Sequence, residues 1–165
     1  MVLMLLDMTF LSRAAVESYR PEGPAVLISI RGVGDPISLM ELGPLYQDVL
    51  RICFGDLAEE YPGSSRLLPW PDKNPSGGDL TMTVGPYTQV LPDLLHAQTI
   101  LAFWRRYQAD PASFHGVVHC KAGLSRSAAV AWNASRLFGI PLIGDPEHAN
   151  PRVLRLLEKA EAEGH

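Results

Sequence analysis

"HCKAGLSRSAA", residues 119–129, follows the apolar run "GVV" at 116–118 and opens a helical pattern that closes at Gly139. A strand ending in a cysteine, a short loop and a helix starting near Arg126 form one strand–loop–helix unit. In such a unit the backbone amides of Lys121, Ala122, Gly123, Leu124, Ser125 and Arg126 can converge on one point as an anion-binding nest. The helix N-terminus adds the positive end of its dipole. Gly123 lets the loop turn back without a Cβ clash. Arg126 supplies a planar fork that matches two phosphate oxygens. The same field favours the thiolate of Cys120. Ser127 is placed to hydrogen-bond that sulfur, and His119 orients the loop through backbone contacts. A buried, inert thiol requires none of this.

Outward from the loop, apolar runs alternate with helical patterns. Val2 to Leu6, "AVLISI" at 25–30, "DVLRICF" at 48–54 and "GVVHC" at 116–120 read as buried strands. "LSRAAVESY" reads as a short helix capped by Thr9 or Ser12 and ended before Pro21. "LLHAQTILAFWRRYQ" at 94–108 has apolar residues at helical spacing, with Arg105 and Arg106 as a surface pair in its last turn. "SRSAAVAWNASRLFG" is a helix with Gly139 beyond its end. Asn150 is an N-cap with Pro151 at the first position of a terminal helix. The fold class is therefore α/β: a central, mostly parallel sheet with helices on both faces.

The chain of 165 residues suits a single domain, 1–165, with one core. It carries a Pro/Gly-rich insertion at about 57–92, where "YPGSSRLLPWPDKNPSGGD" reads as a long loop. Nearly half the residues are apolar, and the net charge of −4 favours neither nucleic acid nor an anionic membrane surface. "MVLMLLDM" lacks a basic leader and a cleavage site, and no run is long enough to span a bilayer. With only Cys53 and Cys120 there is no disulfide framework, so the expected setting is a reducing cytoplasm.

"HCKAGLSRS" resembles the His-Cys-x5-Arg-Ser/Thr signature of the cysteine-dependent protein tyrosine phosphatase superfamily, with His119, Cys120, Arg126 and Ser127 in register and Gly123 in its place. The chain's size and the order of its elements over roughly 25–139 are similar to the compact dual-specificity branch. The resemblance implies a protein tyrosine phosphatase-like fold and a two-step hydrolysis of a phosphomonoester. In it Cys120 attacks phosphorus to form a phosphocysteine, and Arg126 and the loop amides hold the equatorial oxygens. An aspartic acid protonates the leaving oxygen and then acts as base toward water. The resemblance implies no metal and no cofactor. The implied partner is a phosphorylated protein or peptide.

Two aspartates compete for the acid. Asp56 directly follows the strand "VLRICF", the strand-then-Asp arrangement of the dual-specificity branch. Asp72 lies in "WPD", residues 70–72, the tripeptide of the acid loop in the larger tyrosine-specific enzymes. Both lie further upstream of Cys120 than in small family members. Asp56 is preferred, because a strand end fixes a side chain better than a Pro-rich excursion does. Asp79 and Asp93 are further options.

Several residues carry a plainer reading beside a functional one. Cys53 is an inert core thiol, or a partner that could form a protective disulfide with Cys120. Lys121 is a solvated loop charge, or a lipid-phosphate contact. Trp70 and Tyr87 flank an aryl phosphate, or pack the long loop down. A phosphate-binding module without a competent acid is the alternative function, and a sulfurtransferase is a third.

Overall fold

Runs buried on both faces form parallel strands, because a sheet covered by helices leaves no face for water. The computed structural model describes residues 5–32, 43–56, 67–69, 80–84 and 87–165, with backbone alone at 67–69, 80–84 and 87–90. Its first strands are β1 (Leu5–Ser12), β2 (Ala25–Arg31) and β3 (Asp48–Cys53). β4 (Leu67–Pro69), β5 (Leu80–Val84) and β6 (Tyr87–Val90) follow, then β7 (Phe114–Cys120) and β8 (Leu142–Ile143). The helices are α1 (Arg13–Ser18), α2 (Leu94–Gln108), α3 (Arg126–Phe138) and α4 (Pro151–Ala162). The main sheet has the order β3-β2-β7-β1-β8, with every pairing parallel. The architecture is α/β around a central parallel sheet, as the alternation of apolar runs implies.

β7 lies in the middle of that sheet. Ser12 at the end of β1 stands opposite Cys120, and Ser29 of β2 stands opposite His119. Alternate residues face opposite layers. Val26, Ile28, Ile30, Val118 and Cys120 join Leu101, Trp104, Val130 and Leu157 in the larger core, beneath α2, α3 and α4. Leu27 and Val117 join Val16 and Tyr46 in a smaller cluster on the other face, under the single short helix α1. Both faces are covered, but unequally.

Local chemistry sets the helix ends. Ser12 Oγ accepts from Ala15 N at 3.0 Å and starts α1, while Thr9 is buried inside β1. Asp93 and His96 form a reciprocal capping box at α2. Asn150 Oδ1 accepts from Val153 N at 3.1 Å ahead of Pro151 at the start of α4. Gly139 ends α3 in the left-handed conformation, φ 65°, which a Cβ disfavours.

The structure moves two sequence assignments. The first strand runs to Ser12 rather than stopping at Leu6, because the polar residue that seems to break it, Asp7, is satisfied by His115 Nδ1 at 2.9 Å. Residues 1–4 lie outside the described residues. The Pro/Gly-rich insertion at about 57–92 contains β4, within the stretch read as a long loop, and β5 and β6 beyond it, paired antiparallel as a small separate sheet. Thr81, Thr83, Val84, Thr88 and Val90 give these segments β-branched character that the surrounding Pro, Gly and Ser obscure. Among the described residues no helix is long and apolar enough to cross a membrane.

The terminal helix is held by its apolar stripe. Leu157 is fully buried in the larger core. Leu157→Ala should lower the unfolding free energy by about 2–5 kcal/mol, read as a fall in urea midpoint at unchanged slope.

Candidate active site

The loop after β7 is tied down by backbone contact before any side chain acts. Residue 123 has φ 71°, and a Cβ there would run into Ser12 N and the backbone of Leu11. Only glycine tolerates both the conformation and that approach. Arg13 N also donates to Lys121 O at 3.2 Å. The end of β1 thus acts as a template on which the loop folds back over Cys120.

The fold-back aims donors at the sulfur. Gly123 N donates to Cys120 Sγ at 3.2 Å, and Ser127 Oγ lies 3.1 Å from the same sulfur. Cys120 and Ser127 are buried, whereas Lys121, Ala122 and Leu124 form an exposed rim. Arg126 points inward with only 6% exposure. Its Nη1 donates to Phe54 O at 2.9 Å, and its buried Nε has no hydrogen-bond partner. The guanidinium therefore bridges the signature loop to the segment just past β3.

α3 differs from the other three helices at its start. Ser12, Asp93 and Asn150 each cap their helix with a side chain, but Ser125 does not cap α3. Its Oγ instead donates to Asp56 Oδ1 at 2.6 Å. The first amides of α3 are thereby left without a side-chain acceptor, directly beside Cys120. Uncapped helix-start amides suit an anion.

Asp56 is exposed, two residues past the carbonyl that holds Arg126. Besides the bond from Ser125, its Oδ1 accepts from Asn150 Nδ2 at 2.8 Å. Asn150 N in turn donates to Ser125 O at 3.0 Å. Asn150, read from sequence only as a cap, thus joins α4 to both Asp56 and the loop. Its Asn-Pro pattern signals the cap, but no local pattern signals a partner so far upstream.

Of the sequence candidates, Cys120, Arg126, Ser127, Asp56 and the loop 121–125 come together. His119 lies on the opposite face of β7, where its Nε2 meets Ser29 Oγ at 2.8 Å. Burial pushes its pKa down to about 4; Arg13 and Arg126 push the same way, and the Cys120 backbone opposes them. A neutral imidazole there stiffens the strand behind Cys120. Asp93 lies at the start of α2, where its Oδ1 accepts from His96 N at 3.1 Å. Burial raises its pKa, but the hydrogen bonds and charge of His96 outweigh this and hold it below the ordinary carboxylate value. It is spent on capping α2. Asp72, Asp79 and Trp70 lie outside the described residues, as does the side chain of Tyr87.

Cys53 cannot reach Cys120. β2 separates their strands, so two strand spacings, about 10 Å, divide them. A disulfide needs Cα atoms closer than about 7 Å. Cys53 is half-buried against the larger core and forms no disulfide. Arg105 and Arg106 sit in the last turn of α2, where Arg105 Nη2 donates to His165 O at 2.8 Å and Arg106 pairs with Asp48 at 3.3 Å.

No family model, curated protein or solved structure matches the chain.

Two variants test this geometry. Asn150→Ala should destabilise the fold by about 1–2 kcal/mol in chemical denaturation, through loss of the α4 cap. For His119 the folded pKa lies below the unfolded value of 6.5, so the unfolded chain binds the extra proton between 6.5 and about 4. Its contribution is fully present above pH 6.5 and is lost as pH falls through that window, by about 3 kcal/mol in all. His119→Gln should flatten this part of the stability profile, as measured by urea unfolding across the range.

Proposed function

We propose that the chain is a phosphomonoester hydrolase acting through a phosphocysteine, a cysteine-dependent phosphatase of the dual-specificity kind. The observation that supports it is the convergence on Cys120 Sγ of the Gly123 amide and the Ser127 hydroxyl, at the uncapped start of α3. Arg126 is buried alongside. A phosphorylated protein or peptide is the proposed substrate, and a reducing cytoplasm is the setting in which the thiolate persists.

In the first step the thiolate attacks phosphorus in line with the ester oxygen. The S–P bond forms, the P–O bond breaks, and Asp56 gives its proton to the leaving alcohol. Both donors to Asp56 meet Oδ1, which leaves Oδ2 to carry that proton. In the second step Asp56 takes a proton from water, the water oxygen attacks phosphorus, and the P–S bond breaks. Ser127 donates to the departing sulfur, and inorganic phosphate leaves. The α3 amides and Arg126 hold the equatorial oxygens throughout, and their contribution is largest where charge is greatest. Phosphate must displace the contact from Arg126 Nη1 to Phe54 O or share the guanidinium through its other nitrogens.

Hydrolysis of p-nitrophenyl phosphate tests the reading. Cys120→Ser should lower turnover by a factor on the order of 10⁴ or more. Asp56→Asn should cost about 10²-fold or more on alkyl phosphates and little on the activated aryl ester, because only the poor leaving group needs the proton. Turnover that survives in Cys120→Ser refutes the mechanism. Phosphopeptide binding without turnover in the parent chain makes it a phosphate-binding module instead.

A further inference from the structure

Asp56 is exposed and lies two residues past Phe54, whose N–H makes the bond to Arg31 O at the end of β2. Strand pairing therefore does not fix its side chain. An exposed carboxylate exchanges among rotamers unless other groups hold it. Here two donors meet one of its oxygens. Ser125 Oγ donates to Asp56 Oδ1 at 2.6 Å, and Asn150 Nδ2 donates to the same atom at 2.8 Å. The second donor comes from the interior, since Asn150 is only 2% exposed.

Asn150 is held on every side. Its Oδ1 accepts from Val153 N at 3.1 Å. Its backbone N donates to Ser125 O at 3.0 Å, and its backbone O accepts from Leu154 N at 3.1 Å. These bonds also decide which way the amide is turned. A flip would set an oxygen against Asp56 Oδ1 and an NH2 against the Val153 N–H. A helix cap alone does not require this residue, because Asp and Ser cap about as well as Asn. Among these caps, only the amide accepts with one atom and donates with another. It therefore starts α4 and holds a carboxylate at the same time.

We propose that Asn150 is a positioning residue for the general acid: with Ser125 it holds Oδ1 of Asp56, so that Oδ2 carries the proton toward the leaving oxygen. This rests on the phosphatase reading above and adds the source of the acid's placement. Asn150 and Ser125 are themselves hydrogen-bonded, so the acid shares one frame with the loop that carries the sulfur. In the first step the Oδ2 proton passes to the ester oxygen as the P–O bond breaks. In the second, Oδ2 takes a proton from the attacking water. A displacement of about 1 Å in such a group can cost on the order of 10²-fold in rate. Loss of the Asn150 donor should therefore be felt where the leaving oxygen needs that proton, and not in the binding of phosphate.

The test uses the full chain and two aryl esters. Phenyl phosphate releases a phenol with a pKa of about 10, like that of tyrosine, and needs the proton; p-nitrophenyl phosphate releases a much weaker base. Asn150→Ser keeps a side-chain oxygen for Val153 N and removes the donor to Asp56, so its urea midpoint should stay near that of the parent. Its kcat should fall about tenfold further on phenyl phosphate than on p-nitrophenyl phosphate, with KM unmoved. In an Asp56→Asn background the same substitution should cost nothing more on phenyl phosphate, because the acid it positions is gone. Ser125→Ala removes the other donor and no helix cap, so it should show the same selective loss, and it decides the matter if Asn150→Ser is unstable. No loss, equal losses on the two esters, or a further loss in the Asp56→Asn background overturns the positioning role and leaves the phosphatase reading intact. A parent chain that turns over neither ester, or a Cys120→Ser variant that still does, overturns both.

Discussion

The backbone of Gly123 rests directly on the backbone of Leu11 and Ser12, with no room for a methyl group between them. That close approach folds the loop after β7 back over its own cysteine. It turns an amide toward the Cys120 sulfur and sets the direction in which α3 leaves the sheet. It also depends on β1 being a neighbour of β7, and on register, since Ser12 stands opposite Cys120. A one-residue slip would turn Cys120 to the α1 face and His119 to the larger core.

Around that contact the molecule links segments distant in sequence. Arg126 reaches the carbonyl of Phe54, Ser125 and Asn150 converge on one oxygen of Asp56, and Asn150 also starts α4. The end of β3, the start of α3 and the start of α4 therefore form one hydrogen-bonded unit at the carboxyl edge of the sheet. That edge is where parallel α/β sheets place their ligands, because helix starts and loop amides gather there. The serine that could cap α3 is turned to Asp56 instead. This leaves the helix amides open and orders the carboxylate with the same side chain.

The two layers of the sheet divide the labour. The face under α2, α3 and α4 carries the larger core and Cys120, while the α1 face carries the pair of His119 and Ser29. Adjacent residues of one strand thus serve opposite layers, one at the site and one as neutral packing behind it.

The amino-acid order by itself determined most of the local structure. The bounds of α2, the caps at Asn150 and Gly139, the strand at 116–120 and the loop from Cys120 to Ser127 follow from periodicity, Gly and Pro placement and one short motif. Such signals are carried by residues within a turn or two of one another. Tertiary structure decided the rest. It drew Asp56 to Ser125 and Asn150, kept Cys53 from Cys120 by inserting β2, assigned Asp93 to a helix cap, and extended β1 by pairing Asp7 with His115. Strand order and long-range hydrogen bonds set these outcomes. They arise from how apolar faces stack and which polar groups must be satisfied once buried, and neither is written in the spacing of neighbouring residues.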